Sequence, residues 1–397
     1  MTMLDTLPLP TDVSGLEPEG PVITPLKRGR RSETIKAAGP WHLMAAKFLR
    51  HRIAVAAATV IVLLYLVGLF AEFLAPSLPD TSRPQYTFAP PQTIRLFAPK
   101  PGGGTQFLPH VDGYKIQIDK VALRRTFVPD RTKIVPIGFF VPGPAYKLWG
   151  LIPMNRHLIG PVNSYQPMYL LGADRLGRDL FSRLIYATRV SMSIGLVGVA
   201  MSLILGVVLG AVSGFYGGWV DTLIQRLIEV VSAMPTIPLW LGLAAAIPLT
   251  WSPLHVYFII TLIVSLLGWT SLAREVRGRF LALRQEDFVV AAKLDGASEG
   301  RLIFRHILPS LTSHILAVVT LAVPTMIVAE TSLSFLGIGL KPPVVSWGVL
   351  LQDAQNVRTV ATAPWLLMWP ALAVVVAVLA FNFFGDGLRD AADPYGH

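Results

Sequence analysis

Residues 230–273 form a run of 44 without a single Asp, Glu, Lys or Arg. As one helix, at about 1.5 Å per residue, the run would be roughly twice as long as a bilayer's hydrocarbon is thick, so it has to fold back. Ile247-Pro-Leu-Thr-Trp-Ser-Pro253 supplies the turn. The rest of the chain lacks the polar surface to wrap such a segment, because 53% of the 397 residues are hydrophobic and 15% charged, with a mean hydropathy of +0.55. Lipid is the solvent that this sequence fits.

Other apolar runs repeat the pattern. Residues 53–70 are 18 uncharged residues behind a long tail, more than a signal peptide's apolar region, and read as a retained first span. Residues 190–220 hold 31 without charge, enough for one crossing and a Gly-rich exit at Ser213-Gly-Phe-Tyr-Gly-Gly-Trp219. The 44-residue run supplies two spans, a fifth starts near Ile315 and is expected to break at Pro324, and a sixth covers about 365–384.

Charge sets the orientation. The tail 1–52 ends in Lys27, Arg28, Arg30, Arg31, Lys36, Lys47, Arg50 and Arg52, directly before the first span, and such a tail stays inside. Its first 35 or so residues lack apolar periodicity and are expected to be disordered. Counting from an inside start, 274–314 is cytoplasmic and carries seven Arg or Lys, against none around Thr250 and two between Lys341 and Pro364. The expected organisation is a cytoplasmic tail 1–52, a first transmembrane helix 53–75, and an external insertion 76–189 ending in an amphipathic segment. A five-span unit 190–389 containing the loop 274–314 follows, and then a cytoplasmic tail 390–397. The insertion reads as loop-rich and partly β, from alternating runs such as Tyr114-Lys-Ile-Gln-Ile118 and Lys133-Ile-Val-Pro-Ile-Gly-Phe-Phe140.

Several function classes drop out. The net charge of +10 lies in tails and loops rather than on one soluble face, which argues against nucleic acid as a partner. Without Cys there is no disulfide, Cys-ligated zinc, iron–sulfur cluster or thiol chemistry. The eight His have no metal-ligand spacing, and no Gly-x4-Gly-Lys-Ser/Thr loop exists to hold ATP, so neither metal nor cofactor is expected. The charge-free spans offer no converging catalytic groups, and an enzyme is not expected. A secondary transporter driven by an ion gradient is the rival reading, although it would need buried ionisable pairs and an internal repeat of spans, and neither is clear.

The most informative stretch is Glu286-Asp-Phe-Val-Val-Ala-Ala-Lys-Leu-Asp-Gly-Ala-Ser-Glu-Gly-Arg-Leu-Ile-Phe-Arg-His-Ile-Leu-Pro309. It reads as two short helices hinged at Gly296, with Ala291 and Ala292 forming a small surface that another protein can approach closely. Ile303, Phe304, Ile307 and Leu308 make an apolar stripe, and Pro309 marks a boundary. An amphipathic connector lying on the membrane would look much the same.

The spacing separates the two readings by resemblance. Ala-Ala, then Gly four residues after the second Ala, then Leu-Pro twelve and thirteen residues after that Gly, resembles the EAA loop of importer-type ABC permeases. The match places Ala291, Ala292, Gly296, Leu308 and Pro309 on the family pattern, with Ala297 directly after the hinge. Val290 stands where the name-giving Glu would be, and His306 at a usually apolar position. Leu171-Gly-Ala-Asp-Arg-Leu-Gly-Arg-Asp-Leu-Phe-Ser-Arg183 with Arg189, Gly217-Gly-Trp-Val-Asp221 and Glu229-Val-Val-Ser-Ala-Met-Pro235 resemble the dipeptide and oligopeptide branch. So do Glu330-Thr-Ser-Leu-Ser-Phe-Leu-Gly-Ile-Gly-Leu340, Ser346-Trp-Gly348 and Arg389-Asp-Ala-Ala-Asp-Pro394.

The resemblance covers about 171–394. It implies an all-α integral membrane permease of the type-1 importer class, with six transmembrane helices, in a bacterial inner membrane, both termini cytoplasmic. It further implies a heterodimer with a second related permease, two cytoplasmic ATP-binding subunits that receive the loop, and a periplasmic solute-binding protein that delivers peptides or similar small solutes. The insertion 76–170 has no counterpart in it.

Two acidic residues, Glu330 and Glu229, lie within or beside the apolar spans. Glu330 follows the uncharged run 315–329 and belongs toward the outer end of the fifth span, either near the solute path or as a polar contact packing this span on its neighbours. Glu229 is expected to pair with Arg226 at an interface. Pro235, Pro238 and Pro324 should kink their helices, as helices lining a pathway do and as ordinary packed membrane helices also do.

Overall fold

The computed structural model describes residues 40–100, 104–119, 124–248 and 250–392. The expected disordered tail and the end of the Arg389–Pro394 motif lie outside these residues. Of a first compact unit, Met1–Leu43, only the opening turn of α1 (Pro40–Arg50) is described, and all the other elements belong to the second unit, Met44–His397.

α2 (Arg52–Leu69) begins where the ring Nδ1 of His51 accepts from the backbone N–H of Ala54 at 3.1 Å. It gives way at Phe70 to the single turn α3 (Ala71–Leu74). α4 (Leu180–Tyr216) starts at Asp179, whose carboxylate accepts from the backbone N–H groups of Phe181 and Ser182. Residues 180–189, expected to close the external insertion, are therefore the first turns of this helix, which at 37 residues exceeds the hydrocarbon thickness. Arg189 on α4 terminates α2: its guanidinium donates to the carbonyls of Gly68 (2.6 Å) and Leu69 (3.2 Å) and grips Glu72 with two nitrogens. A cation on the last carbonyls of a helix meets the negative end of its dipole.

α4 packs along α7 (Pro253–Leu283) on a ladder of small residues at four-residue intervals, Gly198, Ser202, Gly206, Gly210 and Gly214. A Cβ on Gly210 would stand 2.5 Å from the carbonyl oxygen of Ala273, and one on Gly214 would stand 2.6 Å from Cβ of Phe280. The hydroxyl of Ser202 donates to the carbonyl of Ser265 at 3.0 Å. Small residues every fourth position let two backbones come together where lipid offers no hydrophobic drive between helices.

Between these two lies a broken pair. α5 (Gly218–Ala233) and α6 (Thr236–Ala245) meet at 86° across Met234-Pro235, so Pro235 ends one helix and opens another instead of kinking a single span. Pro238 sits in the first turn of α6, where backbone N–H groups have no partner in any helix. The turn expected at 247–253 separates α6 from α7. The loop 274–314 is mostly helical: α7 continues to Leu283, followed by α8 (Asp287–Leu294), α9 (Glu299–Arg301), a π-helical turn (Leu302–Ile307) and α10 (Leu308–Phe335). α10 runs through Pro324 without the expected break; a proline removes one backbone bond, and the neighbouring turns hold the helix. α11 (Trp347–Asp353), α12 (Val357–Thr362) and α13 (Trp365–Ala392) complete the chain.

Among the described residues, four stretches, α2, α4, 299–335 and α13, are long and apolar enough to cross a membrane singly, and up to six do so if each bent pair counts as one span. The bend in the second pair, 41°, falls inside α7 at Leu266–Gly268.

The segment between α3 and α4, expected to be loop-rich and partly β, carries more strand than loop. β1 (Ile94–Pro99), β2 (Thr105–Asp119), β3 (Arg124–Leu148) and β4 (Ile152–Pro161) pair antiparallel in chain order. The alternating runs noted in the sequence lie within β2 and β3. β3 pairs with β2 as far as Pro136 and with β4 from Ile137 onward, so one long strand joins the two halves of a four-stranded sheet.

Candidate functional site

The loop between α7 and α10 is built from its caps. Arg284, just past α7, donates to the carbonyls of Gly214 and Phe215 at 3.2 Å each, fastening the loop's start to the end of α4. α8 closes in a Schellman arrangement: Gly296 N–H bonds the carbonyl of Lys293 (3.1 Å) and Ala297 N–H that of Ala292 (3.1 Å). Gly296 takes φ +80°, the left-handed conformation this motif needs at that position. A Cβ there would meet nothing within 4 Å, so within this chain the demand for glycine is conformational rather than steric.

After the hinge, Ser298 leads into α9, and Leu308 N–H reaches five residues back to Ile303. Pro309 offers no N–H to the carbonyl of Arg305, and the wide turn absorbs that loss immediately upstream. The wide turn also breaks the expected stripe. Ile303 and Ile307 are buried and Leu308 half-buried, but Phe304 is turned out and 68% exposed, because a π-turn rotates the side chains off the 3.6-residue period.

The loop thus has two sides. Val289, Leu302, Ile303 and Ile307, with Ala292, Ala297 and Leu308 beside them, pack in one cluster with Ala211 of α4, Leu272, Val276 and Phe280 of α7, and Leu311 of α10. Facing away are Phe288, Val290, Ala291, Gly296, Phe304, Pro309 and Leu294, the last 83% exposed. The Tyr216 hydroxyl at the end of α4 donates to Glu299 Oε2 at 3.0 Å, a second tie between the loop and the bundle. The expected residues therefore divide: Ala292, Ala297 and Leu308 anchor, while Ala291, Gly296 and Pro309 face outward.

Glu330 lies far along α10 and is fully buried. Its Oε1 accepts from the hydroxyls of Ser346 (2.7 Å) and Ser334 (2.8 Å), and its Oε2 from that of Ser191 (3.3 Å), which in turn accepts the backbone N–H of Trp347 at 3.1 Å. Three hydroxyls from α4, α10 and the start of α11 thus converge on one carboxylate. Arg226 pairs with Glu229 at 2.7 Å on an exposed face of α5. Pro235 is exposed at the start of α6, and Pro324 is buried within α10.

Sequence reasoning missed a buried charge cluster. Arg183, 1% exposed, places Nη1 at 2.6 Å from Asp174 and 3.0 Å from Asp353 of α11, and Arg178 bonds Asp174 at 2.6 Å. Arg175 reaches Asp353 from the rim at 3.5 Å. The signal was present: Asp174, Arg175, Arg178, Asp179 and Arg183 crowd ten residues directly before a span, a density that is tolerable there only if the charges meet. Among the described residues, no three His, Asp or Glu gather as a metal site.

Known proteins match in two blocks. The profile of the binding-protein-dependent transport system inner membrane component family matches residues 206–395, and that of the N-terminal TM domain of oligopeptide transport permease C matches 39–91. A dipeptide transport system permease protein, DppC, of Alkalihalophilus pseudofirmus is 37% identical over 61% of this chain and 75% of its own length. An oligopeptide transport system permease protein, OppC, of Bacillus subtilis is 38% identical over 56% of this chain and 70% of its own. Among solved structures, one of the MetNI methionine ABC transporter in inward-facing conformations has a TM-score of 0.44 at 14% identity, over 54% of this chain and 98% of that one. With more than two thirds of such relatives covered at this identity, and with apolar helices long enough to cross a bilayer, the chain belongs to the family of binding-protein-dependent transport system inner membrane components and is a permease subunit of an importer.

Proposed function

We propose that this permease crosses a bacterial inner membrane six times with both termini in the cytoplasm, holds its sheet outside, and forms half of a peptide pathway with a second, related permease. Two ATP-binding subunits complete the complex, with the loop around Gly296 docking into a cleft of an ATP-binding subunit, and a periplasmic solute-binding protein delivers cargo. The observation that carries this reading is the two-sided loop. Its inner side belongs to the same apolar cluster as the ends of α4, α7 and α10, while its outer side offers Phe288, Ala291, Leu294 and Phe304 to a partner. A partner that moves the loop therefore moves three long helices, and the ties from Arg284 and Tyr216 to α4 stiffen that link. Alternating access follows if closure of the ATP-binding pair displaces the loop and reorients those helices. The chain itself does no covalent chemistry in this scheme.

Peptide cargo is supported by the names of the relatives, which include dipeptide and oligopeptide permeases. Reconstitution tests the proposal. Liposomes containing the chain with its co-purified subunits should accumulate di- or oligopeptides only with ATP and binding protein. Uptake by the chain alone, driven by a proton or sodium gradient, would sink the proposal.

A further inference from the structure

The hairpin joining β3 to β4 has an unusual tip. Its turn, Leu148-Trp149-Gly150-Leu151, closes with Gly150 N–H on the carbonyl of Lys147 and Leu151 N–H on that of Leu148, both at 3.0 Å. Trp149 takes φ +54° and Gly150 φ +74°, the signature of a primed turn whose first central position normally holds Asn, Asp or Gly. A tryptophan in the left-handed region works against its own Cβ, so the local rules of turn formation do not account for its presence. Nor is the tip polar, as tips in water are: Trp149, Leu151 and Ile152 are all exposed, Leu151 by 79%.

Trp149 also fixes where the tip lies. Its indole N–H donates at 2.8 Å to the carbonyl of Leu69, the last residue of α2, and its ring sits 5.8 Å from that of Phe70. On the same hairpin Phe140 meets Phe73 of α3 at 5.9 Å. The end of a membrane-spanning helix is the level of the lipid headgroups, where Trp is favoured because its ring is apolar and its N–H polar. α2 itself leaves Leu63, Leu66 and Leu69 exposed, as a helix facing lipid would. The charges agree: residues 139–161 contain Lys147 and Arg156 and no acid, which suits an anionic headgroup layer.

We propose that the β3–β4 hairpin is a membrane anchor: Trp149, Leu151 and Ile152 enter the outer headgroup boundary beside α2, and Lys147 and Arg156 face the lipid phosphates. The sheet is thereby held against the bilayer at one end rather than hanging from its two connections. The proposal rests on α2 being a span and is independent of the cargo and of which subunits assemble.

The chain has no Cys, so a single thiol can carry an environment-sensitive fluorophore. Leu151→Cys is the test position, and Tyr165→Cys, 89% exposed past the far end of β4, is the control. The full-length chain, with the subunits it retains, is placed in nanodiscs of phosphatidylethanolamine and phosphatidylglycerol, with and without lipid bearing a nitroxide high on its acyl chain. The anchor predicts blue-shifted emission at 151 and loss of about half or more of it to the nitroxide lipid, with little change at 165. Quenching of 151 by aqueous iodide and not by the nitroxide lipid would overturn the proposal. Shielding from both quenchers would also overturn it, since a protein partner would then cover the tip.

Discussion

The backbone N–H of Ala297 closes on the carbonyl of Ala292 at 3.1 Å, and the chain can make that turn because Gly296 between them stands at φ +80°. Any side chain at Gly296 strains this cap by about 1 kcal/mol or more, and a β-branched one crowds whatever docks outside as well. Gly296→Val is expected to leave membrane abundance unchanged while abolishing retention of ATP-binding subunits or uncoupling hydrolysis from uptake. Val290→Glu, at an exposed position of α8, is expected to be tolerated. Immunoblots of membranes, co-purification and uptake assays on both variants check this; normal retention and uptake in Gly296→Val would reduce the loop to a surface connector.

Topology follows from the same loop. Ser298→Cys, on the exposed segment after the hinge, should resist an impermeant thiol reagent in cells whose outer membrane alone is permeabilised, and should label once the inner membrane is opened. Tyr165→Cys should label in both. The reverse pattern would contradict the six-span arrangement.

Glu330 gathers the hydroxyls of Ser191, Ser334 and Ser346. Glu330→Gln keeps a carbonyl acceptor for two of them and presents its amide to the third, so both thermal stability in detergent and uptake should stay close to wild type. Glu330→Leu strands three buried hydroxyls and should cost about 3 kcal/mol or more. A Gln variant with wild-type melting but no uptake would instead assign the carboxylate's charge to transport.

Contact between α4 and α7 depends on bare backbone. Gly210→Leu drives a side chain against the Ala273 carbonyl and should destabilise the chain by about 3 kcal/mol, seen as lost membrane-inserted protein and a lower melting temperature. Gly278→Leu, where a Cβ meets nothing within 4 Å, is the matched control and should behave as wild type.

Long charge-free runs made most of the helices legible, because lipid allows few alternatives to a helix for such a run. What they could not reveal was how each run divides. Pro235 and Pro324 read alike in sequence, yet one ends a helix and the other rides inside one, since the outcome depends on what packs alongside. The small-residue ladder from Gly198 to Gly214 was not picked out in the sequence, because a spacing of four names no partner until α7 is seen against it. The sheet was underread because β3 is crossed by Pro129, Pro136, Pro142 and Pro144, which look like loop punctuation; Pro136 lies where the strand changes partners, Pro142 and Pro144 at its bulge, and Pro129 in register with Tyr114. In the loop, the hinge and the small residues were readable from spacing, while the outward turn of Phe304 comes from a π-turn that periodicity does not encode.

Whether the outer side of the loop touches an ATP-binding subunit is tested most directly at Ala291, which is exposed and on the expected docking surface. Ala291→Cys, carrying a short photoreactive thiol label, should crosslink in membranes of the assembled transporter to a cytoplasmic polypeptide containing a phosphate-binding loop, identified by mass spectrometry, with a yield that changes when nucleotide is added. Adducts with lipid alone, or a crosslinked protein without any ATP-binding motif, would contradict the coupling role proposed for this loop.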